Sequence, residues 1–447
     1  IGKICKMTRN GSMDLKREGV HRAEAIFYSL LAAVALAAVS YLCYFKPVLY
    51  ARMVNEDQWG EYGTAIGHTV AGVLFLYLAA KRGPFLRRLS WALMSIATLF
   101  IAGEELSWGQ RILHYSVPGL FHRLNTQDEL NLHNFADLDT LLNRSGLLRR
   151  TAGSLVLGWS FLSLLVSLAS PRLKNRMERI GLPLIPVRLL PVFLLIPYFF
   201  MMNPLARSDE MGELFLAVGM AFWAVDLCFR HALPAYPRGG RAVLILSGVF
   251  LAGVLLSSAL TWKFPGSVKG VLDAMANRYA GRGMYVQADG IYRYIYEHPF
   301  LLKPETRIDH ARMLLKLGRK EEASEVLKKA LDELADGPKP KEHRGEFLRR
   351  RGIVHALLKE SDKAEADFAE AIALERREAE LSRDPDEKAG WLWSVAQTLE
   401  ARGDYAEAIS VARKASEQAA SGKVRRKLEE WILFLEDPFA AQAQLEM

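Results

Sequence analysis

The feature that most constrains this chain is a series of long apolar runs, separated by short basic clusters, that fills its first 265 residues and then stops. A bilayer core takes about 20 consecutive apolar residues per helix, and helices are one of two structures that satisfy their own backbone in lipid. The runs predict seven spans, at 24–45, 62–80, 88–106, 151–170, 187–203, 211–230 and 242–262. Pro191 and Pro197 interrupt the fifth, a break transmembrane helices tolerate. Residues 1–22 read as a disordered basic lead-in, with Met7 or Met13 as the start. The run after it is too long for a signal-peptide core and reads as a signal anchor.

Average composition hides this organisation. Apolar residues make up 51% and charged residues 24%, but the average covers two materials. Leu, Ala, Val and Phe dominate up to Lys263; Glu, Lys, Arg and Ala dominate beyond it. The net charge of +8 lies largely between the spans, so it reports topology rather than a nucleic-acid patch, and no nucleic acid is expected as partner. Cys5, Cys43 and Cys228 are too scattered for a disulfide framework or a thiolate metal site.

The basic clusters fall in alternate loops. One set comprises the lead-in, then Lys81, Arg82, Arg87 and Arg88, then Arg172, Lys174, Arg176, Arg179 and Arg188, then Arg230, Arg238 and Arg241. Basic loops stay in the cytoplasm. The opposite loops carry Glu56, Asp57, Glu61, Asp209 and Glu210, diluted by Lys46, Arg52 and Arg207, and Arg149 and Arg150 run against the rule. An odd span count then places the N-terminus inside and the C-terminal domain outside a bacterial inner membrane.

Beyond residue 268 a pattern recurs: a small residue, Gly, Ala, a larger apolar residue, and usually Ala. The four units are Ala276, Gly283, Ala288, Tyr292 and Ile295; Ala311, Gly318, Ala323, Leu327 and Ala330; Gly352, Lys359, Ala364, Phe368 and Ala371; and Ala396, Gly403, Ala408, Ala412 and Ala415. Lys359 stands where the turn glycine belongs. Small residues let paired helices cross closely, and the large one fills the groove to the next pair. The segment 268–436 therefore resembles the tetratricopeptide (TPR) family, with 422–435 as capping helix and 437–447 as a tail. The resemblance implies a concave groove for a protein or peptide partner; bracing of the membrane domain or a homo-oligomer is the other role such repeats permit. The expected fold is all-α, a seven-helix transmembrane bundle over 23–265 followed by a TPR-like α-solenoid.

The third span ends in Gly103-Glu104-Glu105-Leu106-Ser107-Trp108-Gly109-Gln110-Arg111 and opens an outer loop, 107–150. Carboxylates at the end of an apolar helix are costly unless paired or wet, which makes them candidates for function. On a continuing helix Glu104, Ser107, Trp108 and Arg111 share a stripe, with Glu104 facing Arg111 and Glu105 turned about 100° away. Gln127, Asp128, Glu129, Asn131, His133 and Asn134 follow in the loop. Glu56, Asp57, Glu61, His68 and Glu213 come to the same side under the predicted topology. Glu104, Glu105, Arg111 and His133 are the candidate catalytic set. Ser107, Trp108, Gln110, Gln127, Glu129, Asn131, Asn134, Glu56, Asp57, Glu61, His68 and Glu213 are candidate substrate contacts. Glu105 and His133 admit a divalent metal. Several of these groups, Glu56, Asp57 and Glu210 first, suit the headgroup layer equally well, and Trp108 an interfacial anchor.

Gly103 to Arg111 followed by Asn131-Leu132-His133-Asn134 resembles a motif pair of bacterial polytopic membrane proteins, a likeness that carries no activity with it. The acidic first outer loop and C-terminal repeats are more loosely similar to extracytoplasmic glycosyltransferases that use lipid-linked sugars. Two readings stay open. One is a transferase or hydrolase acting on a lipid-linked or envelope substrate, with Glu104 or Glu105 as base or ligand, His133 as acid or ligand, and Arg111 holding an anionic group. The other is a membrane-anchored TPR scaffold of a cell-envelope assembly or export complex. Transport fits less well, because no inverted repeat is visible.

Overall fold

The computed structural model describes residues 2–55, 58–81, 83–113, 115–116, 130, 147–179, 181–202, 207–232, 240–263, 269–303, 305–335, 337 and 344–436. Every regular element among them is helical. The chain divides into two units, Ile1–Val271 and Leu272–Met447.

The first unit contains α1 (Gly2–Phe45), α2 (Pro47–Met53), α3 (Trp59–Ala80), α4 (Phe85–Glu105), α5 (Gln110–Leu113), α6 (Leu147–Ala169), α7 (Pro171–Arg179), α8 (Leu190–Pro197), α9 (Ser208–Ala232) and α10 (Gly240–Lys263). The basic lead-in expected to be disordered is instead helical and continuous with α1; it holds no proline to break the helix. Among the described residues, five helical stretches are long and apolar enough to cross a membrane: Glu24–Phe45, Trp59–Ala80, Phe85–Glu105, Arg150–Ala169 and Ser208–Cys228. Seven were expected. The fifth predicted span is a shorter, broken apolar segment, Val187–Met201. It opens with a 3-10 turn at Val187–Leu189 and closes with a π turn at Tyr198–Met202. Pro197 supplies no N–H to the ladder, and the wider π bonding follows where that rung is missing. The seventh predicted span falls on α10, part of whose side chains lie outside the described residues.

Contacts fix the direction of each segment. Arg88 Nε donates to Ala79 O at 2.9 Å, and Ser95 Oγ to Gly72 O at 2.8 Å, so α3 and α4 are antiparallel. Parallel packing of α3 on α9 follows from two close approaches, Gly63 on Leu214 and Gly67 on Ala217. A Cβ at Gly67 would stand 2.9 Å from that of Ala217, so glycine sets the separation of these helices. Ser257 Oγ donates to Trp59 O at 2.6 Å, which runs α10 against α3. Ser163 Oγ accepts from Ile185 N, and Gly153 abuts Met201, which runs α6 against the broken segment. Arg188 pairs with Glu24 and Asp226, bringing together the start of the broken segment, the beginning of the α1 span and the last third of α9.

The described segments therefore run alternately, α1, α3, α4, α6, 187–202, α9 and α10. One end of the bundle gathers Lys81, Arg88, Arg172, Arg179 and Arg188; the other gathers Glu61, Glu105, Glu210 and the exit of α10. An aromatic core of Phe75, Trp91, Trp223 and Phe193, with centroids 5.8–6.2 Å apart, joins α3, α4, α9 and α8. Leu30, Val34, Leu93, Ile96 and Leu155 are exposed on the outside, an apolar surface suited to lipid contact.

The second unit is four helix pairs and a closing helix: α11 (Lys269–Gly281) with α12 (Tyr285–Glu297), α13 (Thr306–Lys316) with α14 (Lys320–Ala335), α15 (Arg344–Leu357) with α16 (Ser361–Leu381), α17 (Pro385–Arg402) with α18 (Tyr405–Gln418), and α19 (Gly422–Glu436). The small and large positions of all four units are buried: Ala276, Ala288, Ala311, Ala323, Ala371, Ala396, Ala408, Ala412 and Ala415 are fully so. Gly352 lies where a Cβ would meet the Phe368 ring at 2.7 Å, which ties the small position to the large one. All four turns are left-handed, with φ of 74° at Gly283 and Gly318, 64° at Lys359 and 101° at Gly403. Each is closed by the same bond, Met284 N to Tyr279 O, Arg319 N to Leu314 O, Glu360 N to His355 O and Asp404 N to Leu399 O. This is the Schellman pattern, so Lys359 keeps the turn without the glycine.

Candidate functional site

Helix α4 ends at Glu105, and the chain then makes three consecutive left-handed residues: Ser107 at φ 45°, Trp108 at 54° and Gly109 at 82°. Non-glycine residues in this region cost on the order of 1–3 kcal/mol each and persist where surroundings over-determine them. Here they do. Trp108 Nε1 donates to Glu104 Oε1 at 2.8 Å. The indole lies against Gly103, where a Cβ would come within 2.9 Å of ring atoms, and edge-on to Phe100 at 5.6 Å. Tyr115 Oη donates to Trp108 O at 3.0 Å, and Gln110 Oε1 accepts from Leu130 N at 2.8 Å.

The continuous stripe expected for Glu104, Ser107, Trp108 and Arg111 is corrected by this turn: a right-handed helix does not run through 106–109. Glu104 and Trp108 do meet. Arg111 lies in α5, with its side chain outside the described residues.

Glu105 points away from Glu104, into the bundle end. The charges that bear on it most are those of Glu213, Glu61, Glu210 and Glu104, in that order. Three helices, α3, α4 and α9, thus bring carboxylates within electrostatic reach of Glu105. Arg207, itself at φ 51°, donates from Nη2 to Glu210 Oε1 at 2.8 Å and from Nη1 to Asn55 Oδ1 at 3.3 Å. Tyr50 in α2 is fully buried beside this group. Burial, then the neighbouring Cys43, Asp209 and Glu210, push its hydroxyl above the ordinary tyrosine range, against a smaller pull from Arg207, so it stays a proton donor. Gly60 lets α2 approach α3, since a Cβ there would lie 2.4 Å from Met53 O.

His68 shares the Glu61 face by spacing but is fully buried two turns deeper, with Nδ1 unpartnered, and is not among the largest influences on Glu105. Among the described residues no group of three or more His, Cys, Asp or Glu is placed to hold a metal ion. Glu56, Asp57, Gln127, Glu129, Asn131, His133 and Asn134 lie outside the described residues, and with them the pairing of Glu105 with His133 as metal ligands. Sequence reasoning missed Tyr50, Asn55, Arg207 and Tyr115. The spacing of Arg207 three residues before Glu210 was the one available signal.

A tetratricopeptide-repeat family model matches residues 305–333, which cover α13 and nearly all of α14. No curated protein and no solved structure matches the chain. The second unit therefore carries a tetratricopeptide repeat, an element of protein–protein interaction, and the first carries apolar helices compatible with a membrane. No match supports the likeness of the Gly103–Arg111 and Asn131–Asn134 motif pair to other membrane proteins.

Proposed function

We propose that this is a polytopic inner-membrane protein with an outward-facing polar site, acting as a transferase or hydrolase on a lipid-linked or envelope substrate. Its repeat unit, read as a TPR-like solenoid outside the cytoplasm, binds a protein or peptide partner. The observation that carries the reading is the convergence on Glu105 of carboxylates from α3 and α9 beside a strained Ser107-Trp108-Gly109 turn. Like charges gathered at the end of apolar helices work against stability, and such arrangements are kept for chemistry or binding. Glu105 is the proposed base, with Tyr50 and Arg207 supplying donors at the same end. The orientation draws support from the basic residues at the other end, which belong in the cytoplasm. Because α10 ends beside Trp59, the chain leaves the bundle at the carboxylate end, on the proposed outer side.

Complementation of a deletion strain tests this. Glu105→Gln and His133→Ala are expected to abolish function while expression and membrane insertion stay intact; full complementation by both defeats the enzyme reading. The repeat match favours a second reading, a non-catalytic scaffold in an envelope assembly or export complex. In that case both variants complement, and disruption of the repeat unit alone abolishes function.

A further inference from the structure

The first unit contains an apolar cavity of about 290 Å³ between α1, α3, α8, α9 and α10. It runs along Leu31 to Leu42 of α1, Trp59 to Val70 of α3 and Met211 to Phe222 of α9, the same eleven helical steps on each. At 1.5 Å rise per residue that is about 17 Å of length. A slot of this length is long enough to lodge a hydrocarbon chain lengthwise. Two polar side chains reach its lining, Trp59 and Ser257, and both are engaged: Ser257 Oγ donates to Trp59 O at 2.6 Å and Trp59 Nε1 to Ser258 Oγ at 3.1 Å. The slot is partly open and its lining offers water few partners; an enclosed apolar cavity of about 150 Å³ already takes up benzene.

One end of the slot meets the polar site. Gly63 lies two residues from Glu61, while Met211 and Leu214 each follow a carboxylate of the cluster, Glu210 and Glu213. Gly253 keeps the slot open, since a Cβ there would find one atom within 4 Å, Ile66 Cγ2 at 3.9 Å, while Gly63 and Gly67 in the lining set the close contact of α3 with α9. We propose that this slot holds a single hydrocarbon chain, acyl or prenyl, of a membrane amphiphile whose polar end lies at the Glu105 cluster. This deepens the reading above and rests on it for the role of the polar end. An apolar slot about 17 Å long that ends beside carboxyl groups matches an amphiphile in both of its parts.

The test uses the full chain reconstituted in phosphatidylcholine vesicles. These carry a small fraction of phospholipid or of polyprenyl phosphate, each with a photoactivatable diazirine in its chain, and adducts are mapped by peptide mass spectrometry. Adducts are expected on 59–70 and 211–222. Gly253→Leu and, independently, Ala35→Phe should reduce them at least about five-fold, the effect of overfilling a packed site, while adducts on outward-facing Leu93 and Ile96 of α4 stay unchanged. The probe that labels identifies the chain's source. Absence of inner adducts, or inner labelling unaffected by both substitutions, overturns the proposal. Inner labelling that persists while Glu105→Gln complements fully keeps the slot and overturns the function; a slot that fails to load while Glu105→Gln fails to complement does the reverse.

Discussion

The turn after α4 and the turns inside the repeat pairs end their helices in opposite ways. In the repeat unit each turn spends one left-handed residue, glycine in three turns and Lys359 in the fourth, and closes with the same backbone bond. At the end of α4 three residues in succession are left-handed, and two of them carry side chains. A turn that only reverses the chain settles on glycine, since no Cβ resists φ > 0. The α4 turn keeps Ser107 and Trp108 against that preference, held by Glu104, Tyr115 and the bare Gly103. The strain brings an indole onto one carboxylate and leaves the next, Glu105, aimed into the bundle. A second contrast parallels it. The repeat unit buries Glu375 with donors on both oxygens, Ser394 Oγ at 2.6 Å and Thr398 Oγ1 at 2.9 Å, and Arg349 3.7 Å away. The membrane unit surrounds Glu105 with further carboxylates.

The largest expected effect breaks that second contrast. Arg349→Met leaves Glu375 buried without its cation and should cost about 3–5 kcal/mol of stability in the repeat unit, measured by hydrogen exchange of 344–402 in the full chain. Glu105→Gln replaces a carboxyl crowded by other carboxyls with a neutral group of the same shape and should leave thermal stability in detergent unchanged or higher. If Glu105→Gln destabilises as Arg349→Met does, Glu105 is a satisfied structural group and the contrast fails. Next in size, Ser107→Gly relieves one strained residue and should stabilise by about 1 kcal/mol while lowering complementation, the trade expected where strain serves a site. Gain on both counts would mark the turn as a connector.

How much of this was legible in the sequence follows the same division. The repeats were, because their spacing encodes local bonds: the seven-residue step from Ala311 to Gly318 sets the turn, and Lys359 could be assigned to its slot by counting alone. Apolar length located α3, α4 and α9, and loop charge separated the two bundle ends. The site was half legible. Glu104 and Glu105 stood out as carboxylates at an apolar helix end, but extending the α-helical period through Ser107 and Trp108 failed, since nothing in those residue types prefers φ > 0. Pairings across many residues, Arg207 with Asn55 and Arg188 with Glu24, depend on tertiary packing that no local period reports.

Smaller effects sharpen the comparison of turns. Gly318→Ala and Gly403→Ala force a Cβ into the left-handed region and should each cost about 1–2 kcal/mol. Lys359→Gly should gain about 0.5–1 kcal/mol, read as a shift in the urea midpoint of the repeat unit. Equal losses from all three substitutions would mean that Lys359 contributes through its side chain and that its turn is not interchangeable with the others.

The smallest effect is a pH dependence confined to the repeat unit. His310 is buried, stacked on Tyr292 with centroids 4.6 Å apart, with Nδ1 2.8 Å from Tyr296 Oη and Nε2 3.0 Å from Asp289 Oδ1. Neutral imidazole fits both contacts, accepting from the tyrosine and donating to the aspartate. Burial lowers its pKa; the hydrogen bond and charge of Asp289 oppose this, and Arg319 and Arg293 reinforce it. A depressed folded value means that the contribution of His310 is complete above the unfolded value of about 6.5 and is lost as pH falls through the folded one. Glu375, Asp273 and Glu400, pushed up by burial, act in the other direction, losing their contribution as pH rises through their folded values. The difference in stability between the native chain and His310→Asn isolates the histidine: it should shrink on acidification from pH 7.5 to 5.5, and the NMR titration midpoint of His310 should lie below 6.5. A midpoint above that value would show Asp289 outweighing burial, and the imidazole would then be a charged partner in an ion pair.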